Sequence, residues 1–231
     1  MILRRIFVTG MWLLLTLAVA AQQPQPKLSG DAIPNLGEVK AQLKHYYDCD
    51  GKNGCYEADL ETQAARGIEF LKQRAKGANG EKLAIVLDVD ETCLSNYPFY
   101  VTTDFGHESA RFDMWAMAAN ATPIKPMLKL YRAAREMRYE VFFITGRSEH
   151  QRFATEQNLE KAGFKGWAGL TLRSSADAGK KAAEYKSAAR KKIVDQGYRI
   201  VLNMGDQHSD LAGDPQAELS LKLPNPFYFI P

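Results

Sequence analysis

The sequence predicts an α/β fold, a central parallel sheet with helices on both faces. Three observations carry that expectation. Apolar runs open at Ala84, Glu140 and Tyr198, and each has the length and β-branched or aromatic content of a buried strand. Stretches with apolar residues at helical spacing lie between them, as right-handed crossovers between parallel strands require. Each run ends in polar residues: Asp88 and Asp90, then Thr145, then Asp206 and Asp210. That places three polar clusters on one sheet edge, where ligands of open α/β sheets sit.

Taken in order, residues 1–21 have the form of a secretory signal: Arg4 and Arg5, an apolar core around Met11–Leu17, and Ala18-Val19-Ala20 as a cleavage site. A permanent membrane anchor is the rival reading, but the apolar segment is short for a span and its Ala-rich end favours cleavage. The expected product is an exported protein, periplasmic or secreted, without a stable anchor. No Cys follows the cleavage site to take a lipid.

The polar, Pro-containing stretch 22–34 reads as a linker. Residues 35–231 then form one domain. It opens with a helical extension over 35–80, comprising helices at about Leu36–Tyr47 and Glu57–Lys76. The second helix has Leu60, Ala64, Ile68 and Leu71 as its apolar stripe. Cys49 and Cys55 flank a turn-rich loop and can close a small disulfide or stay free; export favours the bridge. Cys93 reads as a small buried apolar residue.

After the first core strand comes a long connection, 94–126, rich in aromatic residues from Tyr97 to Trp115. A βα connection of this length suggests a functional cap, and its rings either stack substrate or pack the cap itself. Met127, Leu130, Tyr131 and Ala134 mark the next helix, which ends near Arg138. The strand Glu140–Ile144 runs into Thr145-Gly146-Arg147-Ser148. Ser148 with Gln151 forms a capping box for a helix closed by Gly163. A short strand at Gly169–Leu172, a helix over about Lys180–Gln196 and a strand at Tyr198–Leu202 complete the pattern.

Net charge is +3 from 30 basic and 27 acidic residues, and without Arg4 and Arg5 the basic residues number 28, almost level with the acidic ones. That balance gives no sign of a nucleic-acid polymer as partner.

Asp88 and Asp90 at a strand end either cap the following turn or form a magnesium-type oxygen site, an acid–base pair, or both. The other clusters decide between these. Phosphoryl transfer through a covalent intermediate needs a carboxylate nucleophile, a proton donor, cationic compensation and hydrogen bonds to the phosphoryl oxygens. Asp88 can attack phosphorus and Asp90 can serve the leaving alcohol and then water. Thr145 and the amides around Gly146 can cradle oxygens, and Asp206 with Asp88 can hold a cation, steadied from behind by Asp210.

Asp88-Val89-Asp90-Glu91-Thr92, Thr145-Gly146-Arg147, Lys186 and Gly205-Asp206 with Asp210 resemble the four ordered motifs of the haloacid dehalogenase (HAD) superfamily. Tyr185-Lys186-Ser187, the stretch Gly205–Leu211 and the tail Leu223-Pro224-Asn225-Pro226-Phe227-Tyr228 resemble one branch, subfamily IIIB. Its members are the bacterial class C acid phosphatases and the plant acid phosphatases related to vegetative storage proteins.

The resemblance implies a Rossmann-like HAD core, Mg²⁺ dependence and hydrolysis of small phosphate monoesters through an aspartyl-phosphate. It makes Asp88 nucleophile and metal ligand. Asp90 becomes acid/base and ligand through its carbonyl, Thr145 a phosphate ligand, Lys186 the neutralising cation, and Asp206 a metal ligand. Lys180, Lys181 and Lys191 are rivals for the lysine, and its place in Tyr-Lys-Ser selects Lys186. Arg147 and Asn203 either touch phosphate or serve capping and surface pairing.

The cap rings, Trp115 foremost, suggest stacking of a nucleobase and hence 5′-nucleotides as substrates. Two other readings share the fold: a non-catalytic storage or binding protein, which the intact Asp88 and Asp90 oppose, and a phosphotransferase to alcohols. The four histidines lack ligand spacing.

Overall fold

A computed structural model describes residues 33–49, 55–77 and 80–230. The expected signal at 1–21 and nearly all of the linker lie outside these residues. Within Leu36–Pro231 the core is a five-stranded parallel sheet in the order β5-β4-β1-β6-β7. Its strands are β1 (Lys82–Leu87), β4 (Glu140–Ser148), β5 (Gly169–Arg173), β6 (Tyr198–Gly205) and β7 (Leu219–Lys222). The predicted α/β class and parallel sheet are therefore present.

Strand parity separates two apolar layers. Leu83, Ile85 and Leu87 of β1 join Val141 and Phe143 on the face covered by α2 (Tyr56–Ala75) and α5 (Lys125–Glu136). Ala84 and Val86 join Phe142, Ile144 and Ile200 on the face covered by α7 (Ala182–Asp195). Helices on both faces make β1 a central strand buried on each side, which is why it reads as a continuous apolar run. α2 and α5 approach closely at Gly67, where a Cβ would lie 2.6 Å from Leu130 Cδ1.

The helix over 180–196 and its neighbour α6 (Arg152–Lys161) are close to their expected bounds, and Gly163 and Gly197 end them with positive φ. Ser148 and Gln151 form the expected capping box, over one 3₁₀ turn ahead of α6. Two differences matter for the site. β4 does not stop at Ile144 but continues to Ser148, so Thr145 and Arg147 point inward while Gly146 faces out. β7 was not expected; its Leu219 and Leu221 alternate with Ser220 and Lys222, but four residues after a polar loop give too short a signal to distinguish from coil.

The segment 94–126 folds as β2 (Leu94–Ser95), α3 (Tyr97–Thr102), α4 (Ser109–Met117) and β3 (Thr122–Pro123), with β2 and β3 antiparallel. Its rings are largely committed to packing. Tyr97 stacks on Tyr47 at 3.5 Å, and Phe227 lies against Tyr97, Tyr100 and Phe105. α1 (Leu36–Asp48) buries no residue fully, but its Tyr46 and Tyr47 pack against the larger apolar layer, and Tyr47 joins this aromatic cluster. Lys40 of α1 pairs with Asp104. Cys49 and Cys55 are bridged, and Cys93 is buried among apolar side chains, both as expected.

Candidate active site

Each polar cluster sits at the carboxyl end of its strand, and parallel register brings the ends together. Leu87 pairs with Phe143 on one side and Met204 on the other. Asp88, Thr145 and Asp206 follow within two residues of those positions. Asp88, Asp206 and Asp210 are buried, and each offers a carboxylate oxygen within 4.8 Å of the others. Lys186, reaching over from α7, places Nζ 2.6 Å from Asp88 Oδ1 and on Asp210 Oδ1 as well. Of the four candidate lysines, Lys186 is the one buried here.

Asp210 stands closer than the sequence suggested, because its carboxylate shares Lys186 with Asp88. It also caps α8 (His208–Leu211) by accepting from the Gln207 amide at 2.8 Å. A Cβ at Gly205 would collide with that carboxylate, so glycine there is what lets Asp210 come so close to the strand end. Asp206 accepts from Thr92 Oγ1 at 3.2 Å, from Gln207 Nε2 at 2.7 Å and from Asn225 Nδ2 at 2.7 Å.

The Asp90 side chain turns away from this group. Arg147 grips it with Nε at 3.0 Å and Nη2 at 2.7 Å from Oδ1, and Asn96 Nδ2 adds a donor at 2.8 Å. Burial works against its ionisation, but the charge and hydrogen bonds of Arg147 outweigh that and hold the carboxyl below its usual range. Arg147 thus sits neither on the surface nor at a helix cap: its fork clamps the second carboxylate of the motif. Thr145 lies beside the pair, its Oγ1 3.5 Å from Asp90 Oδ2 and accepting from the Arg147 amide at 3.2 Å.

Asn96 links this carboxylate to the cap. Its amide and side chain donate to Glu91, and its Oδ1 accepts from Trp115 Nε1 at 2.8 Å. Trp115 is half-buried on α4, tied to the site through that bond. Burial pushes the Glu91 carboxyl up to about 8, and Tyr228 Oη donates to it from the tail.

Glu91 and Asn225 stood inside stretches that carry the family resemblance but had no role read for them, and Asn96 and Arg190 were not singled out in the sequence. Arg190 alone had a positional hint, one helical turn after Lys186; its guanidinium binds the carbonyls of Asp210, Ala212 and Gly213. Asn203 does not reach outward to a ligand but donates to the Asp210 carbonyl.

The charges do not balance. Lys186 faces three carboxylates, so burial holds Asp88 well above the usual range despite the lysine. Burial and the charge of Asp210 push Asp206 up to about 6. Burial likewise opposes the charge on Lys186, but Asp88 and Asp210 keep it protonated. An all-oxygen donor set with unneutralised negative charge suits a divalent cation of the Mg²⁺ kind.

The description of HAD superfamily, subfamily IIIB (acid phosphatase) matches residues 15–231. The chain belongs to this family. It is 42% identical over 178 residues to acid phosphatase 1 of Solanum lycopersicum, covering 76% of this chain and 69% of that protein. It is 35% identical over 189 residues to vegetative storage protein 2 of Arabidopsis thaliana, covering 80% and 67%. Among solved structures it resembles the class C acid phosphatase of Bacillus anthracis, with TM-score 0.68 and 25% identity over 84% of this chain and 86% of that one. A HAD-type phosphomonoesterase acting on small phosphate esters is the activity these relations support. No helix among the described residues is long and apolar enough to cross a membrane.

Proposed function

We propose that the protein is an exported, Mg²⁺-dependent acid phosphatase working through an aspartyl-phosphate on Asp88. The observation that carries this is the buried cluster in which one ammonium, Lys186, is shared by Asp88 and Asp210 with Asp206 alongside. Asp88 and Asp206, with the Asp90 carbonyl, are the groups assigned to hold the ion, and Asp210 fixes Lys186 beside them. When bound, the ion supplies positive charge to the phosphoryl oxygens and lets Asp88 ionise.

The carboxylate of Asp88 attacks phosphorus, forming a new O–P bond as the ester O–P bond breaks. Asp90, aimed by Arg147 and Asn96, must take up a proton against the hold of Arg147 before the step, and gives that proton to the departing alkoxide oxygen. In the second half it takes a proton from water, whose oxygen attacks phosphorus and returns Asp88 as a carboxylate. Thr145 and the Gly146 backbone bind phosphoryl oxygens, and Lys186 offsets their charge.

Chelation is the direct test. EDTA should abolish turnover of p-nitrophenyl phosphate and Mg²⁺ should restore it. At a concentration of ion about 100 times its Kd, the ion should also stabilise the fold by about 2.7 kcal/mol in a denaturant titration. Retained activity after exhaustive chelation would remove the metal from the scheme.

The leaving-group side of the site is assigned to esters with a planar aromatic part, 5′-nucleotides among them, because Trp115 is tied by Asn96 to the carboxylate that serves the leaving oxygen. Stacking is worth about 1–3 kcal/mol per base. Trp115→Ala should therefore lower kcat/KM for a 5′-nucleotide at least about fivefold more than for glycerol phosphate. Equal losses on both would reduce Trp115 to a support for Asn96. Export, for which the Cys49–Cys55 bridge suits an oxidising compartment, is tested by N-terminal sequencing of the mature protein, expected to start just past the Ala18-Val19-Ala20 motif.

A further inference from the structure

Tyr185 precedes Lys186 on α7, and its ring is locked in the smaller apolar layer among Val86, Phe142, Ile144 and Ala189. Arg173 covers the ring, its Cζ 5.4 Å from the centroid. That guanidinium is itself pinned to the carbonyls of Asp177 at 3.2 Å and Lys180 at 2.6 Å. The ring can therefore neither swing outward nor sink deeper.

Its hydroxyl ends up at the sheet edge, 3.3 Å from where a Cβ on Gly146 would lie. The side chain is 4% exposed, yet the hydroxyl has no hydrogen-bond partner among the described residues. Buried hydroxyls are normally paired, and leaving one unpaired costs stability. Tyr56 Oη and Ser209 Oγ are also unpaired but sealed from solvent; the Tyr185 oxygen is not among the sealed atoms. It stands beside the solvent-facing Gly146, within the field of Lys186, Asp88 and Asp210. Burial pushes it up to about 12, so it remains a donor across the working range.

We propose that Tyr185 is a further phosphate-binding residue, its hydroxyl donating a hydrogen bond to a phosphoryl oxygen seated over Gly146 beside the Lys186 ammonium. This rests on the phosphoryl-transfer reading of the site and adds to it a donor from α7, opposite Thr145 on β4. The open space at Gly146 fits the same view, since any side chain there would press on the Tyr185 oxygen and occupy the seat. A phosphoryl oxygen is charged, and a donor aimed at a charged acceptor contributes more than one aimed at a neutral group.

Tyr185→Phe removes only the oxygen and keeps the ring under Arg173. Two measurements on the Mg²⁺-loaded protein decide the matter: inorganic phosphate binding by calorimetry, and kcat/KM on p-nitrophenyl phosphate and on glycerol phosphate. Phosphate affinity is expected to fall about tenfold or more, and kcat/KM to fall by a similar factor on both esters, because the lost contact is with the group they share. The melting temperature should stay level or rise.

Unchanged phosphate affinity in the variant of an active parent would overturn the assignment while leaving the site's reading intact. A loss confined to one ester would move the hydroxyl to the leaving group and equally overturn it. A parent that neither binds phosphate nor hydrolyses either ester would take down both.

Discussion

Asp88→Asn should lower phosphate release by about 10⁴-fold or more without weakening the fold. The amide has nearly the same shape as the carboxylate but cannot form the O–P bond, so only what binding and the remaining charges contribute would survive. Stability should respond in the opposite sense. Lys186 now serves three buried carboxylates, and Asp88 is held well above its usual range by burial. Taking away one of those charges leaves Lys186 paired with Asp210 and relieves the repulsion among the rest. In EDTA the variant should melt at the parent temperature or above it. Turnover near that of the parent would exclude Asp88 as nucleophile. A melting temperature well below it would instead make Asp88 a structural partner of Lys186.

How much of this was legible in the sequence follows from what each feature depends on. β1 and its acidic end were readable because a strand buried on both faces must be apolar throughout, and the abrupt change to Asp88 stands out against it. Thr145 and Asp206 were readable for the same reason, as polar breaks at strand ends. Lys186 was not distinguished by charge or spacing; only the Tyr-Lys-Ser resemblance selected it from its neighbours on the helix.

The partners that aim the site were largely invisible. Arg147 stayed open between phosphate contact and capping or surface pairing because the sequence does not show β4 continuing past Ile144, and that continuation is what turns its side chain inward to Asp90. Asn96 and Asn225 come from a cap and a tail with no periodicity. Their contacts with Asp90 and Asp206 exist only once distant segments pack. The cap aromatics show the same limit: ring content announced a cluster, but that Tyr47 and Phe227 would complete it depends on tertiary structure.

Lys186→Met tests the other half of the cluster, and its largest effect should be on stability. Replacing the ammonium with an uncharged chain of similar length leaves Asp88, Asp206 and Asp210 facing one another with no cation between them. Removing one partner of a buried ion pair costs about 3–5 kcal/mol, and that loss is expected for the metal-free variant near neutral pH.

The pH dependence has a defined sign. Without the lysine, the folded-state values of Asp88 and Asp206 lie further above their unfolded value. A raised carboxyl favours the folded state below its unfolded value and loses that contribution as pH rises through its folded value. Asp206, already pushed up to about 6 in the parent, marks where this begins. Denaturant titrations should thus show the deficit of the variant shrinking as pH falls from about 7 toward 4. Lys186 itself stays charged across that window, so the change belongs to the acids.

Mg²⁺ should recover part of the lost stability by giving the same carboxylates a different cation. It should not recover turnover, which is expected to remain about 10²- to 10³-fold below the parent because the charge beside the transferring group is gone. A deficit that stays constant across this pH range would mean that Lys186 supports the fold by packing its chain, and that its charge is not what holds the three acids together.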